Sequence, residues 1–362
     1  MFTQAMLSPR HPVLAHIVPV RRCNLACVYC NEYDNHSDPV PTSEMIRRID
    51  RLAALGTTII TFSGGEPLLH PELEALIRTI RNHGIIATLI TNGYLLNATR
   101  IKSLNEAGLD QLQLSIDNVT PDDVSQKSLK TVDRKLELLA QWAKFDVDVN
   151  CVVGASLCNP GEALTVARRA WSLGFNTIVG IIHDGSGQLL PLTDDQRKVL
   201  EAIMEGREPT FLSFTRYNPF QVNLARGMPN DWRCRGGSRY LYICENGLVH
   251  WCSQQRGKPG IPLLDYTREH LDREFKSIKP CARYCTIGCV HRVALLDSFR
   301  EAPRETLARL FASRREPNAP TEMPLAVKLL TWLFLPPKQD GRRKMLTQLL
   351  TRGALRLFGL RR

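Results

Sequence analysis

Six short apolar runs, at residues 14–20, 57–62, 85–90, 110–117, 147–153 and 176–182, alternate with helical periodicity through the first half of the chain. Strand–helix alternation at this spacing argues for parallel βαβ units. The punctuation agrees. Thr42 can cap a helix whose apolar face is Ile46, Ile49 and Ala53 and which ends at Gly56. Pro71 suits the first turn of a helix carrying Leu73, Leu76, Ile77 and Ile80, which stops at Gly84. Asn97 caps a third helix that runs to Gly108, a longer one reaches about residue 144, and another ends at Gly174. Within 110–117, Leu112, Leu114 and Ile116 share one face while Gln113, Ser115 and Asp117 share the other. Six strands suit an open, partial barrel of the TIM kind better than a closed eight-fold one.

In such a barrel, chemistry sits on the loops at the C-terminal ends of the strands. The first strand runs into Arg22-Cys23-Asn24-Leu25-Ala26-Cys27-Val28-Tyr29-Cys30-Asn31. Gly64-Gly65-Glu66-Pro67 follows the second, Thr91-Asn92 ends the third, and Ser115 and Asp117 end the fourth. No fourth thiol or imidazole lies close to Cys23, Cys27 and Cys30; the next histidine is His36. Structural zinc takes four protein ligands, whereas iron–sulfur clusters are held by thiolates at such close spacings. A cubane held by three cysteines leaves one iron free to take something else. The plainer alternative is three unrelated buried thiols, since free cysteine packs like a small hydrophobe. Four separate stretches converging on one mouth argue against that.

The CxxxCxxC arrangement, with Tyr29 just before its last cysteine, resembles the signature of the radical S-adenosylmethionine (radical SAM) superfamily. The resemblance implies a partial (β/α)6 barrel and a [4Fe-4S] cluster whose free iron chelates the amino and carboxylate groups of S-adenosylmethionine. It also implies reductive cleavage to a 5′-deoxyadenosyl radical that abstracts a substrate hydrogen. Gly64, Gly65, Glu66 and Pro67 match the GGEP motif, whose backbone and glutamate bind the methionyl amine in this family. Two glycines let the backbone approach closely, and a carboxylate meets an ammonium in a charge-assisted hydrogen bond. Ser115 and Asp117 fall where family members contact the ribose. Asn92, with Thr91, is a weaker candidate, because Thr-Asn-Gly also makes a tight turn. Tyr29 would sit near the adenine, and Val153 packs either there or in the core. No residue is assigned to the hydrogen-transfer step.

A second cysteine group begins with Cys234, twelve residues, Gly247, four residues and Cys252, then continues with Cys281, Cys285 and Cys289. Its opening is similar to that of the SPASM and twitch extensions, which carry auxiliary iron–sulfur clusters in many radical SAM enzymes. Residues 242–252 read as a hairpin with Asn246-Gly247 as its turn. Full SPASM domains have a longer downstream run, and the six cysteines here, counting Cys244, cannot fully ligate two cubanes. The expectation is one auxiliary [4Fe-4S] cluster on Cys234, Cys252 and two of Cys281, Cys285 and Cys289, with Cys244 in reserve. Four thiolates at a hairpin also suit zinc. His250 and His291 lie beside this group, and either could be a surface residue. Cys151 and Cys158, without close partners, read as structural thiols. An auxiliary cluster would accept an electron or hold substrate.

Eleven cysteines in 362 residues, clustered at short spacings, point to metal in a reducing compartment rather than to a disulfide framework. Residues 1–10 lack the pattern of a secretory signal, and no apolar run is long enough to span a bilayer. The formal charge is +11, and residues 321–362, with nine Lys/Arg and two acidic residues, carry most of it. In that tail an apolar run at 325–335 precedes Leu346, Leu349, Leu350, Leu357 and Phe358, set against Arg352, Arg356, Arg361 and Arg362. Such a pattern describes an interfacial helix on anionic lipid or a docking helix with a solvated basic end; Gly353 weakens the helix. Nucleic acid is disfavoured by the scarcity of interleaved aromatics.

The expected organisation is a radical SAM core at 1–190, a connecting segment at 191–230, a SPASM/twitch-like iron–sulfur domain at 231–300 and a basic amphipathic tail at 301–362. The expected protein is a cytoplasmic enzyme, with peripheral contact to the inner face of the membrane through its tail. Its substrate would be a peptide, small molecule or lipid, and its electron donor a protein such as a flavodoxin or ferredoxin. The alternatives are an iron–sulfur electron-transfer or scaffold protein that never cleaves S-adenosylmethionine, and a zinc-containing RNA- or membrane-binding protein. The GGEP stretch and the Ser115/Asp117 pair argue against both, because neither needs a cosubstrate pocket.

Overall fold

The computed structural model describes residues 9–154, 159–182, 189–206, 220–302 and 305–306. The chain divides into two compact units, 1–209 with 220–294, and 210–219 with 295–362.

Its framework is a run of β1 (Leu14–Val20), α1 (Thr42–Ala54), β2 (Ile59–Gly64), α2 (Leu73–Asn82), β3 (Ile86–Thr91), α3 (Ala98–Ala107), β4 (Gln111–Ile116), α4 (Leu129–Trp142), β5 (Asp146–Val153), α5 (Gly161–Ser172) and β6 (Asn176–Ile181). Each strand from β1 to β6 pairs in parallel with the next. The sheet stays open and does not stop at β1. β7 (Tyr240–Ile243) lies parallel along β1's other edge, and β8 (Leu248–His250) and β9 (Pro259–Pro262) follow antiparallel, so the order is β6-β5-β4-β3-β2-β1-β7-β8-β9. One continuous sheet therefore carries both the barrel and the hairpin of the second cysteine group. Covering β1 removes an edge of unpaired N–H and C=O groups at the strand that feeds the first cysteine loop.

In-register residues of parallel strands share a face. Ile17, Phe62, Leu89, Leu112, Leu114 and Val149 face a core they share with Ile49, Leu76, Ile101, Leu136 and Val166 of the helices. The opposite face, which lines the barrel, carries His16, Thr61, Thr88, Gln111, Gln113, Ser115, Asp148 and Asn150. Thr61 and Thr88 are bonded at 2.6 Å across it. The expected polar stripe of β4 is thus one part of a polar lining that spans several strands.

Several local expectations need correction. Pro41, not Thr42, occupies the N-cap of α1, and no side chain caps it; the Thr42 hydroxyl instead donates to Glu72. The buried stripe of α1 is Met45, Arg48, Ile49 and Leu52. Arg48 is buried because its guanidinium bonds the carbonyl of Glu245 at 3.0 Å. Asn97 does cap α3, accepting from Arg100 N at 2.8 Å, and Gly108 ends it at φ +83°. The hairpin turn falls at Glu245–Gly247, with only Gly247 at positive φ (+76°), so it is not the two-residue turn that needs positive φ at both centres. The connecting segment contains α6 (Asp194–Glu205), with a Thr193/Gln196 capping box, and α7 (Phe220–Ala225). Beyond the hairpin lie α8 (Arg268–Lys276) and α9 (Gly288–Glu301). Among the described residues no helix is long and apolar enough to cross a membrane. Residues 321–362 and Cys158 lie outside the described residues.

Candidate active site

The loops after β1 to β4 meet at one end of the sheet. The turn after β2 is pressed against the base of the cysteine loop. Gly65 N donates to Val20 O at 3.2 Å and Glu66 N to Arg22 O at 3.0 Å. A Cβ on Gly65 would lie 2.2 Å from the Arg21 carbonyl oxygen, so only glycine fits. Gly64, at φ +110°, is equally constrained, since a Cβ there would strike Val18 at 2.5 Å. The close approach that these glycines allow is therefore to the chain's own backbone.

Glu66 is fully buried. Thr91 Oγ1 (2.7 Å) and Leu68 N (3.0 Å) donate to one carboxylate oxygen, and Asn92 N (2.8 Å) donates to the other. Burial pushes its pKa up, and those three donors oppose the rise. Pro67 opens the short 3-10 turn behind it. Through Glu66 the end of β3 is held in place, and Asn92 then reaches the cysteine loop: its amide donates to Asn24 Oδ1 at 2.8 Å and to Cys23 Sγ at 3.7 Å.

Asp117, just beyond β4, is 2% exposed. Its Oδ2 accepts from the Tyr29 hydroxyl and from Ser125 Oγ at 2.6 Å. Lys127 Nζ lies 3.9 Å from that oxygen and donates to Tyr29 at 2.9 Å. Burial disfavours the Lys127 charge, but Asp117 and its other neighbours more than offset this, and the ammonium is held well above its ordinary pKa. Burial likewise raises the Tyr29 phenol, which stays a donor. Ser125, itself fully buried, also touches Cys27 Sγ at 3.4 Å. The second Asp117 oxygen, Oδ1, is buried without a partner. Asp117 is among the residues that line a cavity of about 190 Å³ between the β4 loop and the start of α5, where Glu162 accepts from Val119 N. Asn118 lines it as well, and its Oδ1 is likewise buried without a partner.

The Tyr29 ring packs on Val152 and Ile182. Val152 is the β5 residue that faces the mouth, while Val153 belongs to the core, as does Cys151. Ser115 sits one step below Asp117, opposite Asn150 of β5. Ser125, Lys127 and Glu32 carry no signal in the sequence; they sit in loops with no periodicity to mark them. Burial pushes the Glu32 pKa up among Tyr242, Arg256, Lys127 and Arg21.

The second cysteine group lies close to the first. Glu245, in the hairpin turn, accepts from Arg21 at 2.8 Å and from Arg256 at 2.6 Å, and Asn31 bonds Gln254 at 3.1 Å. Burial raises the thiols of Cys252, to about 12, and of Cys285, and the charges of Cys234 and Cys281 act on both. Those four thiols are thus within electrostatic reach of one another. Gly236 N donates to Cys234 Sγ at 3.4 Å. Cys289, pushed up to about 11 by burial, is instead bonded by Tyr240, and Cys244 acts on Arg256. His250 and His291 are not surface residues. They are 3% and 8% exposed, His250 accepting from Gly257 N and His291 stacked on Phe220 at 4.0 Å. Among the described residues, no three His, Cys, Asp or Glu side chains close around a single metal ion.

The Radical SAM superfamily profile matches residues 17–164, which hold the loops after β1 to β4. The chain carries a radical SAM domain. A PqqA peptide cyclase of Gluconobacter oxydans is 35% identical over 116 residues, 31% of this chain and 32% of that protein. The match thus spans about a third of that relative's length. A probable GTP 3′,8-cyclase of Pyrococcus abyssi is 28% identical over 264 residues, covering 65% of this chain and 83% of that protein. Among solved structures, Streptococcus suis SuiB bound to precursor peptide SuiA has a similar fold, with a TM-score of 0.55 at 15% identity, covering 80% of this chain and 73% of that one. The radical SAM domain's cysteine loop fits a cluster with one open position. It offers three thiols, two N–H donors aimed at Cys23 (from Leu25 and Asn92) and one hydroxyl at Cys27.

Proposed function

We propose that this chain is a radical SAM enzyme in which Cys23, Cys27 and Cys30 hold a [4Fe-4S] cluster and the mouth around Asp117 holds S-adenosylmethionine. The observation that carries the reading is the contact chain Cys27–Ser125–Asp117. It sets a thiol of the cluster loop one hydroxyl away from a buried carboxylate that keeps one oxygen unpartnered and belongs to a residue lining a cavity. A protein that only carried electrons would have no use for such an oxygen, since leaving a buried acceptor unsatisfied costs about 1–3 kcal/mol.

Cluster and cosubstrate together supply a 5′-deoxyadenosyl radical when one electron arrives. The chain's own residues hold and orient. Asp117 would bind the ribose hydroxyls, with Tyr29, Ser125 and Lys127 fixing its carboxylate through Oδ2. Tyr29 and Val152 offer an apolar wall to the adenine. Gly64, Gly65 and Pro67 seat the β2 turn under the cysteine loop, and Glu66 positions Asn92 against Cys23. Ser115, with Asn150, forms the polar floor. Cys234, Cys252, Cys281 and Cys285 are the ligands we propose for one auxiliary cluster.

The substrate class we propose is a peptide. A barrel lined by His16, Thr61, Thr88, Gln113 and Asn150 offers donors and acceptors to backbone amides, and the peptide-related names of the relatives favour this class over a lipid. The test is anaerobic reconstitution, addition of dithionite and S-adenosylmethionine, and measurement of 5′-deoxyadenosine. The product should form and should be lost in Cys27→Ala; its retention there rejects the assignment of the loop. With a deuterated substrate peptide, label should appear in 5′-deoxyadenosine. Product that forms without ever acquiring label from any peptide supplied would remove the substrate class and leave the chemistry.

A further inference from the structure

We infer that the face around Cys281 is the docking surface for an acidic one-electron carrier protein. The inference rests on the radical SAM reading, because that chemistry consumes one electron per cleavage, and it adds where the electron enters.

The charge pattern is the first observation. Residues 232–244, 246–264 and 275–296, which bear the second cysteine group, contain nine Lys/Arg and no Asp or Glu. Five of those cations are exposed: Arg233, Lys258, Lys276, Arg283 and Arg292. The three stretches lie together. Asn230 N donates to Arg283 O at 2.8 Å and Trp232 Nε1 to Ala282 O at 2.7 Å, which joins the first to the third. Lys258 and Lys279 both lie over the Trp251 ring, at 5.7 and 5.3 Å, which joins the second to the third. Beside and between these stretches in sequence, Glu245 and Glu274 pair with Arg256 and Lys279, and Asp231, Asp265, Glu269 and Asp272 are exposed.

The second observation is what this basic field surrounds. Ile278 is 78% exposed and Tyr284 51%, and between them in sequence Cys281 is exposed while Cys234 and Cys252 are buried. One solvent-facing apolar residue means little. Two of them flanking an exposed thiol of the proposed cluster, among five exposed cations, describe a transient electron-transfer contact: a small apolar centre with a charged rim. The rim selects an acidic partner and steers its approach. The exposed thiol selects a redox partner, because it brings that site's edge to the surface. The carrier gives up one electron to this chain and is oxidised by one electron, with no bond or proton moved at the contact. A single-stranded RNA would need successive aromatics for stacking, and Tyr284 is the only strongly exposed aromatic among the described residues of this face.

The test uses the reconstituted full chain and a purified flavodoxin. Oxidised flavodoxin should bind, and Lys276→Glu/Arg283→Glu should weaken it about tenfold or more at about 50 mM salt, with the difference shrinking at about 500 mM. Arg78→Glu, exposed on α2, should bind as the wild type does. Reduced flavodoxin should drive 5′-deoxyadenosine formation more slowly in the double variant, whereas dithionite should drive both proteins equally. Equal flavodoxin affinity in wild type and double variant overturns the docking surface, as does binding of an RNA of about 20 nucleotides that is tighter than flavodoxin binding and is lost with the same two substitutions. Failure of dithionite to yield any 5′-deoxyadenosine in the wild type refutes the radical SAM reading instead, and the flavodoxin affinities still decide the surface.

Discussion

Ser125 and Cys27, ninety-eight residues apart, meet at 3.4 Å, and the same serine hydroxyl donates to Asp117 at 2.6 Å. One small side chain thus links the loop that follows β1 to the residue that ends β4. Ser125→Ala removes both contacts without adding bulk. The expected cost is about 1–2 kcal/mol of stability, with weaker S-adenosylmethionine binding and an altered electron paramagnetic resonance spectrum of the reduced cluster. A variant that loses stability but keeps both the affinity and the spectrum would reduce Ser125 to packing.

Gly65→Ala should be more damaging than its size suggests. The added Cβ would lie 2.2 Å from the Arg21 carbonyl oxygen and 2.3 Å from that of Arg22, both backbone atoms. The turn or the cysteine loop must shift, so iron bound per chain after reconstitution should fall well below the wild-type value. Full iron content would mean that the loop tolerates displacement.

Glu66→Gln keeps the shape and replaces one oxygen with an amide that faces donors. Thr91, Leu68 and Asn92 all donate to this carboxylate, so at least one buried donor loses its acceptor, at about 1–3 kcal/mol. Urea unfolding should show that loss. It should also show weaker cluster retention, because Asn92 bridges Glu66 to Cys23.

His16 gives a pH dependence. Burial against β7 holds its pKa down at about 4, compared with 6.5 when unfolded. Between those values the unfolded chain binds the extra proton, so the contribution of neutral His16 is intact above pH 6.5 and is lost as pH falls towards 4. The full loss is about 3 kcal/mol. His16→Gln should flatten the pH dependence of the urea midpoint in that window; an unchanged slope would place the effect elsewhere.

Much of the barrel can be read from the chain because its signals are local. Asn97 and Gly108 mark the ends of α3, and Leu112, Leu114 and Ile116 alternate out of polar neighbours. The β1–β7 pairing cannot be read that way. Leu14 and Tyr240 pair across more than two hundred residues, and a parallel partner leaves no turn signal between the strands. Thr42 misled because its hydroxyl, a good cap in isolation, is taken by Glu72. Of the residues brought together at the mouth, the first three cysteines, Glu66, Asn92 and Asp117 are expected from spacing and resemblance. Ser125 and Lys127 are not, since they belong to an irregular loop and become neighbours of the mouth only when Asp117 N bonds Lys127 O.

Cys23, Cys27 and Cys30 are the proposed ligands of a cluster with one position open to S-adenosylmethionine. The most direct measurement is the electron paramagnetic resonance spectrum of the reduced, anaerobically reconstituted protein before and after S-adenosylmethionine is added. A [4Fe-4S] signal should appear whose g values shift on addition, with no such shift in Cys27→Ala. A wild-type spectrum that S-adenosylmethionine leaves unchanged would contradict it.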